Sequence, residues 1–396
     1  CALPICEIIL NASRLGQKVT SSSFLTTVKK GYCLISVFND TIKVMKLDRG
    51  TVLAYADLEA THLGRYPMCN EMLSGFHVTS VEGCTSRLVK KNLRKYPFLD
   101  KSDPKVSMTE KEILNEEVDL DSDCSLPSNQ KGRLKSLLLK HKKAFSLYGE
   151  IGNSRHVVKL HLIDETPFFI RPYTVSEDEK KLIDKELSKL EKMGVLQQGV
   201  ASCSSPVMLV AKKGTNNKRV VSDLRVLNMK IRKQNWPFPL VRDTIQKLGM
   251  SGCSVVSTID LKEAFHSLHL DEESQQKTGI VSYFGGKSYF YKRLPMGASI
   301  SPSEFQAFVE KVLDDIPGSR EFCIAHMDDL IIFSKSTSEH FKHLDLLLEG
   351  LSRHGLKLSP KKAKFCKTQV EYMGHIISIV NGRLCISAMK SKCEAI

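Results

Sequence analysis

No run of apolar residues in this chain approaches the ~20 that a membrane span requires, which argues against a membrane-embedded protein. A secretory segment, with its charged lead and apolar stretch, is also absent. The twelve cysteines form no C-x-x-C pair and no Cys/His cluster with zinc spacing. Cys69, His77 and Cys84 lie near one another, but their gaps fit no finger or knuckle. Reduced thiols in an intracellular compartment are the simplest reading of that scatter. There is no internal repeat. No initiator methionine precedes Cys1, so a fragment or a processed piece of a longer chain is expected.

What the chain has in excess is positive charge. Its 58 Lys and Arg outnumber 44 Asp and Glu, for a formal net charge of +14. That balance makes a polyanionic partner the leading expectation, nucleic acid ahead of an anionic membrane surface. The hydrophobic content of 42% is ordinary for a soluble globular protein, and 396 residues leave room for two or three domains.

Residues 1–60 alternate apolar and polar positions between turn signals. Leu34–Phe38 leads into Asn39-Asp40, Ile42–Met45 precedes Asp48-Arg49-Gly50, and Thr51–Tyr55 follows. This pattern predicts a small β unit of hairpins. From 61 to 128 the periodicity fades, and a basic stretch around Lys90 and Arg94 gives way to acids from Glu110 to Asp123. Opposite-sign blocks without apolar period predict a poorly ordered linker.

Order returns with Leu134, Leu137 and Leu138 in a short helical lead-in, 129–152. Ser176 and Glu179 form a capping-box pattern ahead of Leu182, Ile183, Leu187 and Leu190. Ser301-Pro302-Ser303-Glu304 and Ser336-Thr337-Ser338-Glu339 carry the same signature, each before an apolar stripe. Strands are expected at 207–210, 255–259, 287–291, 324–327 with 330–333, and 370–377. Interspersed helices and hairpins give an α+β class with an antiparallel sheet.

The chemistry centres on three acids. Asp328 and Asp329 sit at the bend between two apolar runs, and Asp260 ends the apolar run from Val255. Taken alone, an Asp-Asp pair is most often a surface turn. If the two strands are neighbours, however, three carboxylates meet at one sheet edge. That would suit hard divalent cations and two-metal phosphoryl transfer. Lys212-Lys213-Gly214-Thr215-Asn216-Asn217-Lys218-Arg219 places cations on both arms of a predicted hairpin, where they could clamp a triphosphate. Arg225, Lys230, Arg232 and Lys233, interleaved with Trp236 and Phe238, suit a nucleic-acid path. Each of these signals alone is more often ordinary surface or core.

Together and in order, these segments resemble the reverse transcriptase of gypsy-type LTR retrotransposons and retroviruses. The resemblance runs from about Asn153 to the end. It rests on Ser205–Val210, the block Arg219 to Asn228, Asp260–Phe265, Leu294–Ala298 with Ser301-Pro302 and Phe305-Gln306, and His326-Met327-Asp328-Asp329. Gly355–Lys362 and Tyr372–His375 complete the series. Leu34–Tyr55 resembles the small β segment between protease and polymerase in such Pol polyproteins. No D-[ST]-G triad occurs, so the protease itself is not present in this sequence.

The resemblance implies a right-hand polymerase of fingers and palm in 153–378, with the start of a thumb in 379–396. Asp260, Asp328 and Asp329 would be catalytic, holding two Mg²⁺ ions (or Mn²⁺) with help from the Leu261 carbonyl. Lys212 and Arg219 would contact the deoxynucleoside triphosphate, Phe265 would exclude a ribose 2′-hydroxyl, and Met296 would pack near the nucleotide. Lys362 would be the general acid for the leaving group, with Lys361 unranked against it. Met373 and Gly374 would form the primer grip. The implied partners are an RNA/DNA template–primer and the rest of a Pol polyprotein: protease, thumb, RNase H and integrase. The implied setting is a cytoplasmic virus-like particle, with the nucleus as the alternative.

His326 departs from the family's Tyr or Phe, and an imidazole there could add positive charge at low pH. Reduced or altered activity is expected from it. The sequence ends where a thumb would begin, which puts processivity of this piece in doubt. The rival reading is a domesticated remnant that binds nucleic acid without catalysis. An RNA-dependent RNA polymerase shares the acids but is disfavoured by Phe265 and by the lack of Gly before Asp328.

Overall fold

The structure, a computed structural model, describes residues 7–11, 24–27, 55–58, 82–100, 102–120, 126–211, 218–234, 236–283, 287–380 and 383–388. The chain divides into two units, Cys1–Arg87 and Leu88–Ile396. The first holds β1 (Glu7–Asn11), β2 (Phe24–Thr27) and β3 (Tyr55–Leu58), an antiparallel sheet in the order β2-β1-β3. The hairpins expected from Leu34 to Ala54 lie outside the described residues.

The stretch expected to be a poorly ordered linker carries helices at Glu82–Lys95 and Glu110–Glu117. Ile113, Leu114 and Val118 are buried in the main core, and Thr109 and Glu112 form a reciprocal capping box. An eight-residue helix with two buried apolar side chains is too short to show a period, and its exposed Glu112 and Glu116 dominate the composition. The next helix, Ser128–Lys140, buries Leu134 and Leu138.

In the second unit the chain runs through β4 (Val157–Val158), a helix at Glu177–Lys192, β5 (Leu196–Gln198) and β6 (Ser204–Ser205). Next come β7 (Val207–Ala211), β8 (Lys218–Ser222), β9 (Val255–Asp260), β10 (His269–Leu270), β11 (Gly279–Val281) and β12 (Ser288–Tyr291). After the Ser301–Asp314 helix follow β13 (Cys323–His326) and β14 (Asp329–Ser334). A helix at Thr337–Arg353 leads to β15 (Lys364–Lys367), β16 (Gln369–Tyr372), β17 (His375–Val380) and β18 (Arg383–Ala388).

The sheet that matters for function has the order β13-β14-β9-β15 and is antiparallel throughout. Its two inner strands are apolar on both faces. Val255, Ile259, Leu330 and Ile332 pack into the main core, together with the helices Ser301–Asp314 and Thr337–Arg353. The alternating set, Val256, Ile331 and Phe333, packs with Leu248, Val370, Tyr372 and Ile377 in a second cluster. A sheet covered on both faces explains why these strands read as continuous apolar runs rather than as an alternation.

Two local expectations need correction. The stretch 370–377 is not one strand: Met373 and Gly374, with φ of 49° and 75°, form the turn between β16 and β17. Positive φ at both central residues is the mark of a two-residue hairpin turn. Ser301 does not cap its helix either. Ile300 holds the cap position, and the Ser301 hydroxyl donates to the Pro295 carbonyl instead. The capping box at Ser176 and Glu179 is formed, and Ser336 accepts from the Glu339 amide.

The lead-in is fastened to this body by backbone and by one guanidinium. Gly355, at φ 74°, follows the cap of the Thr337–Arg353 helix, and a Cβ there would fall 2.1 Å from the Asn153 carbonyl oxygen. Buried Arg293 donates to the carbonyls of Gly152, Gly194 and His266 and to the Asn153 side chain.

Candidate active site

Pairing of β14 with β9 sets Asp329 opposite Asp260, and pairing with β13 sets it opposite His326. Directly opposed residues project from the same sheet face. Asp260 and Asp329 therefore share the face of Val256, four residues before Asp260, and of Ile331, two residues after Asp329. Met327 and Asp328 form the turn, with Met327 at φ 53°. A positive φ on a non-glycine residue is strained and persists where its surroundings hold it. Here Gln306 does so. Fully buried, it accepts from the Met327 amide at 2.6 Å and donates to the Ala325 carbonyl at 3.2 Å and to Glu310 at 2.8 Å. The sequence places Gln306 on the apolar face of a helix, three residues from Val309, and a buried amide on such a face is the signal for this clamp.

The Leu261 amide donates to the Asp328 carbonyl at 2.8 Å, extending the ladder past the acids. The Lys362 ammonium lies 2.8 Å from Asp260 Oδ2. Lys361 points to Glu117 instead, at 3.4 Å, so geometry separates the two lysines. Loss of hydration raises the Asp260 carboxyl above its ordinary range, Lys362 opposes the shift, and Asp328 adds to it. Asp329 is the most open of the three acids. Even so, partial desolvation, with the charges of Asp328 and Asp260, pushes it up to about 6. Burial lowers Lys362, but its bond to Asp260 and the charges of all three acids outweigh that and leave it raised.

Among the described residues, no group of three His, Cys, Asp or Glu side chains is gathered tightly enough to hold a metal ion by itself. Mg²⁺ is commonly held by one or two carboxylates and completed by substrate phosphates. The hard oxygen donors at this sheet edge, two of them with raised affinity for a proton and one already paired with an ammonium, fit that mode of binding. They do not fit an all-protein cage.

The other predicted residues are distributed around this edge. Phe265 is half-buried in the turn after β9 and meets Phe305 edge to face, with centroids 5.7 Å apart. Met296 is 44% exposed, in a loop that Asn228 holds through the Gly297 carbonyl and the Ser299 amide. Arg219 is exposed on β8, opposite Val210, and Lys212 lies outside the described residues. Met373 packs on the second core cluster beneath the acids, beside Gly374 in the hairpin turn. His326 Nδ1 is buried with no hydrogen-bond partner, and its ring lies 6.1 Å from Phe238. Burial lowers the affinity of this imidazole for a proton, and Asp328 only partly opposes the shift. The positive charge expected of it at low pH is therefore disfavoured.

An antiparallel sheet with acids at its edge, backed by helices and preceded by a basic hairpin, defines a class: the fingers and palm of a right-hand polymerase. Residues 210–377 match the family described as "Reverse transcriptase (RNA-dependent DNA polymerase)". More particularly, the chain resembles the Pol polyproteins of gypsy-type retrotransposons. It is 33% identical over 264 residues to the retrovirus-related Pol polyprotein from transposon gypsy of Drosophila melanogaster, covering 65% of this chain and 25% of that one. It is 30% identical over 209 residues to the transposon Tf2-7 polyprotein of Schizosaccharomyces pombe, covering 53% and 15%. The chain thus spans about a quarter or less of these relatives. The prototype foamy virus protease–reverse transcriptase shares the fold, with a TM-score of 0.60, 24% identity, and coverage of 71% of this chain and 37% of that one. A foamy viral protease–reverse transcriptase in complex with an RNA/DNA hybrid gives a TM-score of 0.58 at 23% identity, covering 72% and 36%.

Proposed function

We propose that this chain is the fingers-and-palm part of an RNA-directed DNA polymerase of a gypsy-type retroelement, acting within a longer Pol polyprotein. The observation that carries this reading is the strand register that opposes Asp329 to Asp260, with Asp328 in the adjoining turn. The net charge of +14 supports a template–primer as its polyanionic partner.

In this reading Asp260, Asp328 and Asp329, with the Leu261 carbonyl, hold divalent cations. When bound there, Mg²⁺ or Mn²⁺ would supply activation of the primer 3′-hydroxyl and neutralisation of charge on the triphosphate. Arg219 and Lys212 grip the triphosphate, which supplies the anionic partner that exposed Arg219 lacks among the described residues. Lys362 gives up Asp260 and donates a proton to the departing pyrophosphate, then regains one from solvent. Phe265, braced by Phe305, lies under the sugar and turns away a 2′-hydroxyl. Met296 borders the nucleotide, and the Met373–Gly374 turn supports the primer end.

The test is primer extension on an RNA template with Mg²⁺, comparing deoxy- and ribonucleotides. Incorporation of dNTPs alone is expected. Tight binding of template–primer without any incorporation would favour the non-catalytic remnant and overturn this reading.

A further inference from the structure

Beneath the acid-bearing strands, on the sheet face opposite the acids, four polar side chains interrupt an apolar layer. Ser257 of β9 and Ser334 of β14 alternate with Ile259, Leu330 and Ile332, which pack into the main core. His340, on the apolar stripe of the Thr337–Arg353 helix with Leu344 and Leu347, reaches both strands. Its Nε2 lies 2.7 Å from Ser257 Oγ and its Nδ1 lies 2.8 Å from Ser334 Oγ. Ser334 Oγ also lies 2.7 Å from His343 Nδ1, and Ser257 Oγ accepts from the Cys366 amide at 2.9 Å. Ser257 and His340 are fully buried, and Ser334 is 4% exposed.

Hydrogen-bond accounting favours one direction along this chain. If His340 donated from Nε2, the Ser257 hydroxyl proton would have no acceptor among the described residues. In the opposite sense every donor is used. Ser257 donates to Nε2, Nδ1–H donates to Ser334, and Ser334 donates to His343 Nδ1. The remaining His343 proton, on Nε2, then faces Glu339 at 4.0 Å, a favourable contact rather than a clash of acceptors. Burial foremost, with neighbouring His343, holds His340 far below the ordinary imidazole range, at about 3.

This relay has a consequence for strand pairing. A strand with one apolar face and one polar face is registered by its pattern, since a one-residue slip exposes the apolar set. The run Leu330-Ile331-Ile332-Phe333 is buried on both faces, so a slip against β9 would still bury apolar side chains. A slip would, however, carry the Ser334 hydroxyl away from His340 and strand buried polar groups, each of which then loses its hydrogen bond without regaining water. We propose that His340, neutral and protonated on Nδ1, is a positioning residue that fixes the pairing of β9 with β14 and so keeps Asp260 and Asp329 opposed. Its bearing on catalysis rests on the polymerase reading; the relay itself does not.

Two measurements test this. In the full chain labelled with ¹⁵N-histidine, a two-bond ¹H–¹⁵N spectrum should show His340 as the neutral Nδ1–H tautomer from pH 7.5 to 5. An Nε2–H tautomer, or protonation in that interval, overturns the relay, whatever the protein's activity. The second measurement uses Ser257→Ala/His340→Leu/Ser334→Ala, which removes the three bridging side chains at once; the Cys366 amide and His343 Nδ1 lose their partners, so some stability is lost, but the variant should keep a cooperative melt. It is expected to bind Mn²⁺, followed by electron paramagnetic resonance, at least fivefold more weakly and to extend primers at least tenfold more slowly at saturating dNTP. Wild-type Mn²⁺ binding and extension in that variant would reduce the relay to a structural filler and overturn the proposal. A wild-type chain that binds no Mn²⁺ would instead sink the polymerase reading, leaving the tautomer to decide the relay.

Discussion

In the proposed polymerase, the acid-bearing sheet and the basic hairpin β7–β8 would be two ways of building a site for one reaction. The sheet fixes its groups from every side: apolar clusters on both faces, Gln306 over the turn, and His340 beneath the strands. The hairpin is a two-stranded ribbon whose tip-side cations, Lys218 and Arg219, are exposed. Lys218 is paired with Glu179, whereas Arg219 has no hydrogen-bond partner among the described residues. Groups that must meet a reacting atom at fixed distance are held by packing. A group that grips a flexible polyphosphate needs only reach and charge.

Substitutions test the contrast, and the largest effect belongs to the sheet. Asp260→Asn should lower primer extension by roughly a thousandfold or more, since it removes a cation ligand without changing shape. Single-turnover extension on an RNA template measures this, and a loss of less than tenfold would refute the assigned role. Lys362→Leu should cost on the order of a hundredfold in kcat, within the range of general acid catalysis. Lys361→Leu, which loses only its pairing with Glu117, should stay within about twofold. Equal losses in the two variants would erase the distinction drawn from geometry. Arg219→Ala should raise KM for dNTP by roughly tenfold and leave the melting temperature unchanged, because an exposed side chain without partners contributes little to the fold.

The smallest effect concerns pH. The native state holds a proton on Asp329 up to about 6, whereas an unfolded chain releases it near 3.8. Between those values the native state binds more protons, so this group's contribution to stability falls as pH rises and is level above about 6. Divalent-cation binding should run the other way, weakening as pH drops through 6, because the ligand must be deprotonated. Asp329→Asn should therefore raise the melting temperature at pH 7 only slightly, by no more than roughly 2–4 °C once solvent screening of so open a carboxylate is counted. A melting temperature that falls would show the three charges to be no burden on the fold.

Much of this was legible in the sequence. Apolar runs ending in Asp260 and broken at Asp328 marked two strands with acids at their ends, which would share an edge only if the strands were neighbours, as the pairing of Asp329 with Asp260 makes them in the fold, and the Ser176–Glu179 box marked its helix. The Met373–Gly374 turn was missed although Gly374 signalled it, because Val370–Tyr372 and Ile376-Ile377 read together as one strand and Met is a poor signal of positive φ. The helix at Glu110–Glu117 was masked by its acids. Ser257, Ser334 and His340 left a fainter trace: polar residues at inward positions of otherwise apolar elements. Their partnership depends on a fold that brings together residues distant in the chain, which no local pattern encodes.

Arg293 has a practical corollary for anyone excising this domain. The family match begins at residue 210, yet three of the four acceptors around that guanidinium, at Gly152, Asn153 and Gly194, precede it. A truncation made at Val210 would keep only the His266 carbonyl and leave a buried cation largely uncompensated. The autonomous cooperative piece must therefore reach upstream at least to Gly152, and recombinant boundaries drawn from the family match alone are expected to yield insoluble material.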